Sequence, residues 1–173
     1  IKGLSPKAIF VSTLRDNKLL SKLSKLFIQE DIKLLVTTTS FNFLSTTNNH
    51  NDSFRHLNIP IIQLICSTST KQNWMDKSRG LSSLDLSLQV VLPEIDGRII
   101  SRPCAFKDHT NIDNNLETTV SKLLPYTKGL DWLVKYIYKQ IQLGIKTNIE
   151  KKVCIVLSNY PPKNGRIANG VGL

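Results

Sequence analysis

The chain has 173 residues, 40% of them apolar, and carries 23 Lys and Arg against 13 Asp and Glu, for a formal net charge of +10. That apolar content is enough for a buried core and excludes a disordered charged tail, and the length suits one domain or one α/β layer with attachments. No apolar run approaches the ~18 residues that a membrane-spanning helix needs, so a span is excluded. Ala8-Ile9-Phe10-Val11-Ser12, a short apolar run after a proline, predicts a buried strand. Over residues 16–30, Leu19, Leu20, Leu23, Leu26 and Phe27 recur at helical spacing with Lys18, Lys22 and Lys25 between them. The spacing predicts an amphipathic helix with Asp16 as N-cap. Residues 34–37 predict a second strand. Residues 42–58, rich in Ser, Thr and Asn, read as a long loop. Residues 61–66 form a third strand, with Pro60 near its start. This alternation predicts an α/β fold: a parallel-rich sheet with covering helices.

The middle of the chain is less regular. Residues 71–80 read as a loop or short helix carrying Trp74. Residues 82–91 place Leu84, Leu88 and Val91 on one helical face, with Ser82 or Ser83 as cap, although Leu84, Leu86 and Leu88 also alternate as in a strand. Pro93 is expected to end that element, because its ring blocks helical continuation, which makes Glu94-Ile95-Asp96-Gly97 a turn. Residues 98–101 resume as a strand, and residues 107–115 read as a polar loop. The clearest periodicity lies in Leu130, Leu133, Val134, Ile137, Tyr138 and Ile141, which predicts a long helix over 130–143 with Gly144 near its end. Residues 153–157 predict a last buried strand running into a Gly- and Asn-rich loop. The chain thus divides into an α/β segment (1–70), an irregular segment (71–125) and a helix–strand–loop segment (126–173). No helix follows that last loop and no initiator Met opens the chain, so the sequence reads as an internal piece of a longer protein.

Cys66, Cys104 and Cys154 are odd in number, far apart and without a Cys-x-x-Cys pair. They predict buried, reduced thiols in a cytoplasmic protein and exclude a cysteine zinc cluster. His50, His56 and His109 have no metal-ligand spacing. The basic residues are spread along the chain without a nucleic-acid-binding motif, so no nucleic-acid partner is expected. Gly165 and Gly170 have the Gly-x4-Gly spacing of a phosphate loop, but Val171 and Gly172 stand where Lys and Ser or Thr would reach phosphate and Mg2+. Nucleotide hydrolysis by this loop is therefore not expected, leaving backbone anion contacts or a plain tight turn. Glu94 and Asp96, at i and i+2, suit proton transfer or a hard cation, or else form a solvated acidic turn.

Several segments together carry a resemblance. They are Gln63-Leu64-Ile65, Trp74, Arg79-Gly80-Leu81, Leu92-Pro93-Glu94-Ile95-Asp96-Gly97-Arg98-Ile99-Ile100, Phe106-Lys107, and the stretch from Leu157-Ser158-Asn159-Tyr160-Pro161-Pro162-Lys163-Asn164-Gly165-Arg166 to Leu173. In order and spacing they resemble the large subunits of the CobN and magnesium chelatase family, and the last block is nearer to the cobalt branch. The resemblance implies a fragment of a larger multidomain subunit that binds the tetrapyrrole and the metal, with Co2+ as a substrate. It implies ATP-dependent cobalt insertion into hydrogenobyrinic acid a,c-diamide, with ATP and Mg2+ handled by separate AAA+ type subunits. Metal insertion needs a base for the ring N–H protons and oxygen ligands for a dehydrating cation. On that basis Glu94 is expected as catalytic base and metal ligand, with Asp96 in support. Arg79, Arg98 and Lys107 are expected to pair with substrate carboxylates, with Trp74, Asn164, Gly165 and Arg166 as further substrate contacts.

Overall fold

The computed structural model describes residues 3–11, 16–40, 58–113 and 118–157, and for 17, 109–113 and 118–120 the backbone only. Four strands form one sheet in the order β1 (Leu35–Thr37), β2 (Ile61–Ser67), β3 (Ile99–Asp113), β4 (Thr118–Pro125). The first three run parallel and β4 returns antiparallel to β3. The parallel-rich sheet with covering helices is thus observed, and the expected strands at 34–37 and 61–66 fall within a residue of β1 and β2.

Helix α1 (Asn17–Gln29) starts where the sequence places it: the Asp16 carboxylate accepts the Lys18 N–H at 2.8 Å. Leu20, Leu23 and Phe27 form its buried stripe and pack with Val11, Leu35 and Ile61. Helix α5 (Thr127–Ile145) covers the opposite face, where Leu133 meets Ile62 and Cys104. It comes so close that a Cβ at Gly129 would stand 2.1 Å from the Pro103 carbonyl oxygen, so only glycine fits there. The long helix expected over 130–143 is therefore present and extends at both ends.

Between β2 and β3 the chain forms α2 (Lys71–Asp76), α3 (Ser83–Leu86), a π-helical turn (Ser87–Val91) and α4 (Leu92–Ile95). Ser82 is the cap of α3 and accepts the Asp85 N–H at 3.1 Å. Pro93 does not end the element as expected. The wider π turn precedes it, and Pro93 sits in the first turn of α4, where the ladder changes from π to α spacing. The helix stops at Ile95, two residues later, in a Schellman motif: Gly97 donates to the Glu94 carbonyl at 2.9 Å and Arg98 to the Pro93 carbonyl at 3.0 Å. Gly97 has φ of +74°, the left-handed conformation that this cap requires.

Three further expectations are corrected. The polar stretch from Lys107 belongs to β3, which continues to Asp113 and pairs with β4 from Ala105↔Pro125 to Asp113↔Thr118. Such an arm gains its ladder from the returning strand, so its sequence needs no buried face. Residues 8–11 and 153–157 are not strands and have no ladder partner among the described residues. An apolar run becomes a strand only when a neighbour supplies hydrogen bonds, and here Phe10 is 96% and Val156 89% exposed. Cys154 accordingly lies exposed, whereas Cys104 is buried and Cys66 half-buried.

Candidate functional site

The helical run from α3 to α4 leads from the carboxyl end of β2 to the amino end of β3, and a buried polar cluster grips the sheet at each end. At the carboxyl end, the Asp85 carboxylate accepts the Ser67 hydroxyl at 2.9 Å and the Thr68 N–H at 3.0 Å. One turn on, Gln89 donates to Asp85 at 3.1 Å. Its amide also pairs with the Cys66 backbone, accepting the N–H and donating to the carbonyl at 2.7 Å each. Asp85, Gln89 and Ser67 are all buried.

At the amino end lies the Pro93–Arg98 turn. Arg98 donates from Nη1 to the Thr39 carbonyl at 2.7 Å and to Gln63 Oε1 at 2.6 Å, and from Nη2 to Asp96 Oδ2 at 2.9 Å. The two side chains of the ion pair are 0% and 2% exposed. Burial pulls the Arg98 guanidinium below its ordinary pKa, and the charge and hydrogen bond of Asp96 oppose that shift. A buried cation is tolerable only with such close partners. One residue pair therefore ties the end of β1, the centre of β2 and the C-cap of α4 together. Glu94, on the last turn of α4, is exposed.

The site residues expected from sequence are thus divided. Glu94, Asp96 and Arg98 stand together, but only Glu94 faces solvent, and Arg98 is spent on internal partners rather than open to a substrate carboxylate. The buried carboxylate of the motif is Asp96, not Glu94. Trp74 and Lys107 lie at the other end of the parallel strands, on the order of 25 Å away at ~3.3 Å of rise per residue. Trp74 there packs into an aromatic cluster with Phe106, 5.2 Å between ring centroids, and Tyr126, 6.1 Å away. Lys71 caps the Tyr126 ring at 5.2 Å. Gly80 faces the Trp74 indole with a positive φ, and the neighbouring Arg79 is exposed. Lys107 is half-buried, and its N–H bonds to the Ser69 carbonyl at 3.2 Å. Asn164, Gly165 and Arg166 lie outside the described residues. Among the described residues no group of three or more His, Cys, Asp or Glu stands together as a metal site.

Sequence reading missed Gln63, Asp85 and Gln89. A signal existed for the first: Gln63 is the one polar residue within Ile61-Ile62-Gln63-Leu64-Ile65, and a lone amide in a buried strand needs a partner. Asp85 and Gln89, four apart, carry no such mark, because polar residues at that spacing also describe a solvated helix face.

The comparisons with known proteins agree with this fold. The chain is 35% identical over 99% of its length to the aerobic cobaltochelatase subunit CobN of Pseudomonas aeruginosa, of which it covers 14%. It is 28% identical over 70% of its length to the magnesium-chelatase subunit ChlH of Oryza sativa, of which it covers 8%. Its structure matches the catalytic subunit of cobaltochelatase from Mycobacterium tuberculosis with a TM-score of 0.68 and 28% identity, over 95% of this chain and 14% of that one. The chain therefore spans about a seventh or less of the length of these relatives. The family model for CobN/magnesium chelatase matches residues 1–173, and the chain belongs to that family.

Proposed function

We propose that this chain is a segment of the tetrapyrrole- and metal-binding large subunit of a cytoplasmic cobaltochelatase. In this reading the subunit inserts Co2+ into hydrogenobyrinic acid a,c-diamide in aerobic cobalamin synthesis, while AAA+ type partner subunits hydrolyse ATP. The observation that carries the reading is the extent of similarity: the cobaltochelatase relative aligns over 99% of the chain, the magnesium-chelatase relative over 70%.

Glu94 is assigned as the general base. Its exposed carboxylate sits on a helical turn whose two cap hydrogen bonds and buried Asp96–Arg98 pair fix the backbone beneath it. An accessible carboxylate on a rigid support can take the inner-ring N–H protons as the nitrogens bind the metal, and can offer an oxygen to Co2+ as it loses water. Asp96 supports this as the turn's buried anchor. Arg98, buried on internal partners, leaves the set of substrate contacts, and so do Arg79, Lys107 and Trp74 for a ring held at Glu94, since they stand on the order of 25 Å from it at ~3.3 Å of rise per residue.

The test uses the full-length subunit with its ATPase partners. Offered Co2+ with the corrinoid and Mg2+ with protoporphyrin IX, it is expected to turn over the first; insertion of Mg2+ alone overturns the cobalt reading. Glu94→Gln is expected to slow insertion by about 10²- to 10⁴-fold, the usual contribution of a positioned base. Tetrapyrrole binding, followed by fluorescence quenching, should stay within about twofold, because the amide keeps the shape of the acid. Near-normal chelation by this variant removes Glu94 from catalysis.

A further inference from the structure

Gln63 is fully buried at the centre of the sheet, where an amide is costly unless its hydrogen bonds are used. Its Oε1 accepts Nη1 of Arg98 at 2.6 Å, and a guanidinium can only donate, so the orientation of the Gln63 amide is dictated by Arg98. Arg98 in turn serves α4 twice. Its backbone N–H closes the Schellman cap on Pro93, and its side chain holds Asp96, the C-cap residue, at 2.9 Å. Glu94 lies between those two attachment points. The same nitrogen, Nη1, also donates to the Thr39 carbonyl beyond the end of β1 at 2.7 Å.

We propose that Gln63 is a positioning residue for the Glu94 carboxylate, acting through Arg98 to hold the last turn of α4 at a fixed place on the sheet. The proposal rests on the reading of Glu94 as the base. Two features favour a positioning role over simple core filling. A strand interior of this kind is filled most cheaply by Ile or Val, as at Ile62 and Ile65 of the same strand, so the amide stands against a packing preference. And its acceptor is aimed at a cation that already has a carboxylate partner, so the contact adds direction rather than neutralising charge. The chemistry needs such direction, because a base displaced by about 1 Å can lose up to ~10²-fold in rate.

The experiment is a double-mutant cycle in the full-length subunit with its ATPase partners, read as cobalt insertion well below the melting temperature. Gln63→Leu, close in volume and without an acceptor, is expected to lower kcat about 10- to 100-fold and to leave the KM for the corrinoid within about twofold. In the Glu94→Gln background, Gln63→Leu should cost no more than about twofold, because the residue acts only through the base. Equal losses in both backgrounds, or a loss in kcat that follows the fall in folded protein, show a structural role only and overturn the proposal. A normal kcat for Gln63→Leu beside a dead Glu94→Gln also overturns it while leaving Glu94 as the base. A normal Glu94→Gln defeats the underlying reading instead.

Discussion

At one end of the α3–α4 run, the Asp85 carboxylate is held by a hydroxyl, a backbone N–H and an amide, with no cation among its partners in the described residues. At the other end, Arg98 meets a carbonyl, an amide and the Asp96 carboxylate. Both clusters fasten the same helical run to the same sheet, and both are buried. They differ in how they fail. The Asp85 cluster shares one charge among several neutral donors, so loss of one leaves the others in place. The Arg98 cluster balances two charges directly, so loss of either strands the other in a low-dielectric interior. The vulnerable cluster is the one that supports the Glu94 turn.

Arg98→Met should expose this difference most strongly. The methionine fills much of the volume but takes the cation away from the buried Asp96 carboxylate, a change that typically costs ~3–5 kcal/mol. The expected result is a large rise in hydrogen-exchange rate at the amides of β1, β2 and α4 in the intact subunit, with α5 little changed. Uniform loosening of all these elements would mean that the two ends of the run are one cooperative unit. Asp85→Asn should be milder, about 1–2 kcal/mol, because the amide keeps one acceptor for Thr68 and Ser67 can rotate its hydroxyl. Its exchange signature should centre on the end of β2. A loss as large as that of Arg98→Met would contradict the shared-charge account.

The contrast also explains what could be read from sequence. Helix α1 and helix α5 were legible because each buries a stripe at 3.6-residue spacing, and β1 and β2 because they are apolar runs inside the sheet. The outer part of β3 and all of β4 were not, since their pairing is a non-local fact that polar composition does not record. Residues 8–11 and 153–157 misled for the converse reason: composition favours a strand, but a strand exists only with a neighbour. Pro93 misled because the proline rule assumes a regular α-helix before it, and a π turn relaxes that condition. At the site, the Pro93–Gly97 motif was legible as a turn with two carboxylates. Which carboxylate is buried was not, because the partner that buries Asp96 is two residues away in sequence but fixed by Gln63 and Thr39, 35 and 59 residues from Arg98.

The smallest effect, and the sharpest local probe, comes from the thiols. Cys104 is buried, and burial pushes its pKa up to about 11; burial raises that of Cys66 as well. A thiol whose folded pKa lies above its unfolded value holds its proton more tightly when folded. Its contribution to stability is complete below the ordinary thiol pKa of 9.0 and is lost as pH rises toward about 11. Stability should therefore fall between those limits, and Cys104→Ala should flatten that part of the profile even if it lowers stability throughout. The same burial orders the reactivity toward a thiol reagent at neutral pH: Cys154 first, Cys66 slower, Cys104 last. Cys66 then reports on the Asp85 cluster, since Gln89 pairs with its backbone, while Arg98 bonds to β2 at Gln63. Asp85→Asn should speed Cys66 modification severalfold, and Arg98→Met should leave it nearly unchanged. If Arg98→Met accelerates Cys66 as much as Asp85→Asn does, the two clusters do not hold the helical run independently.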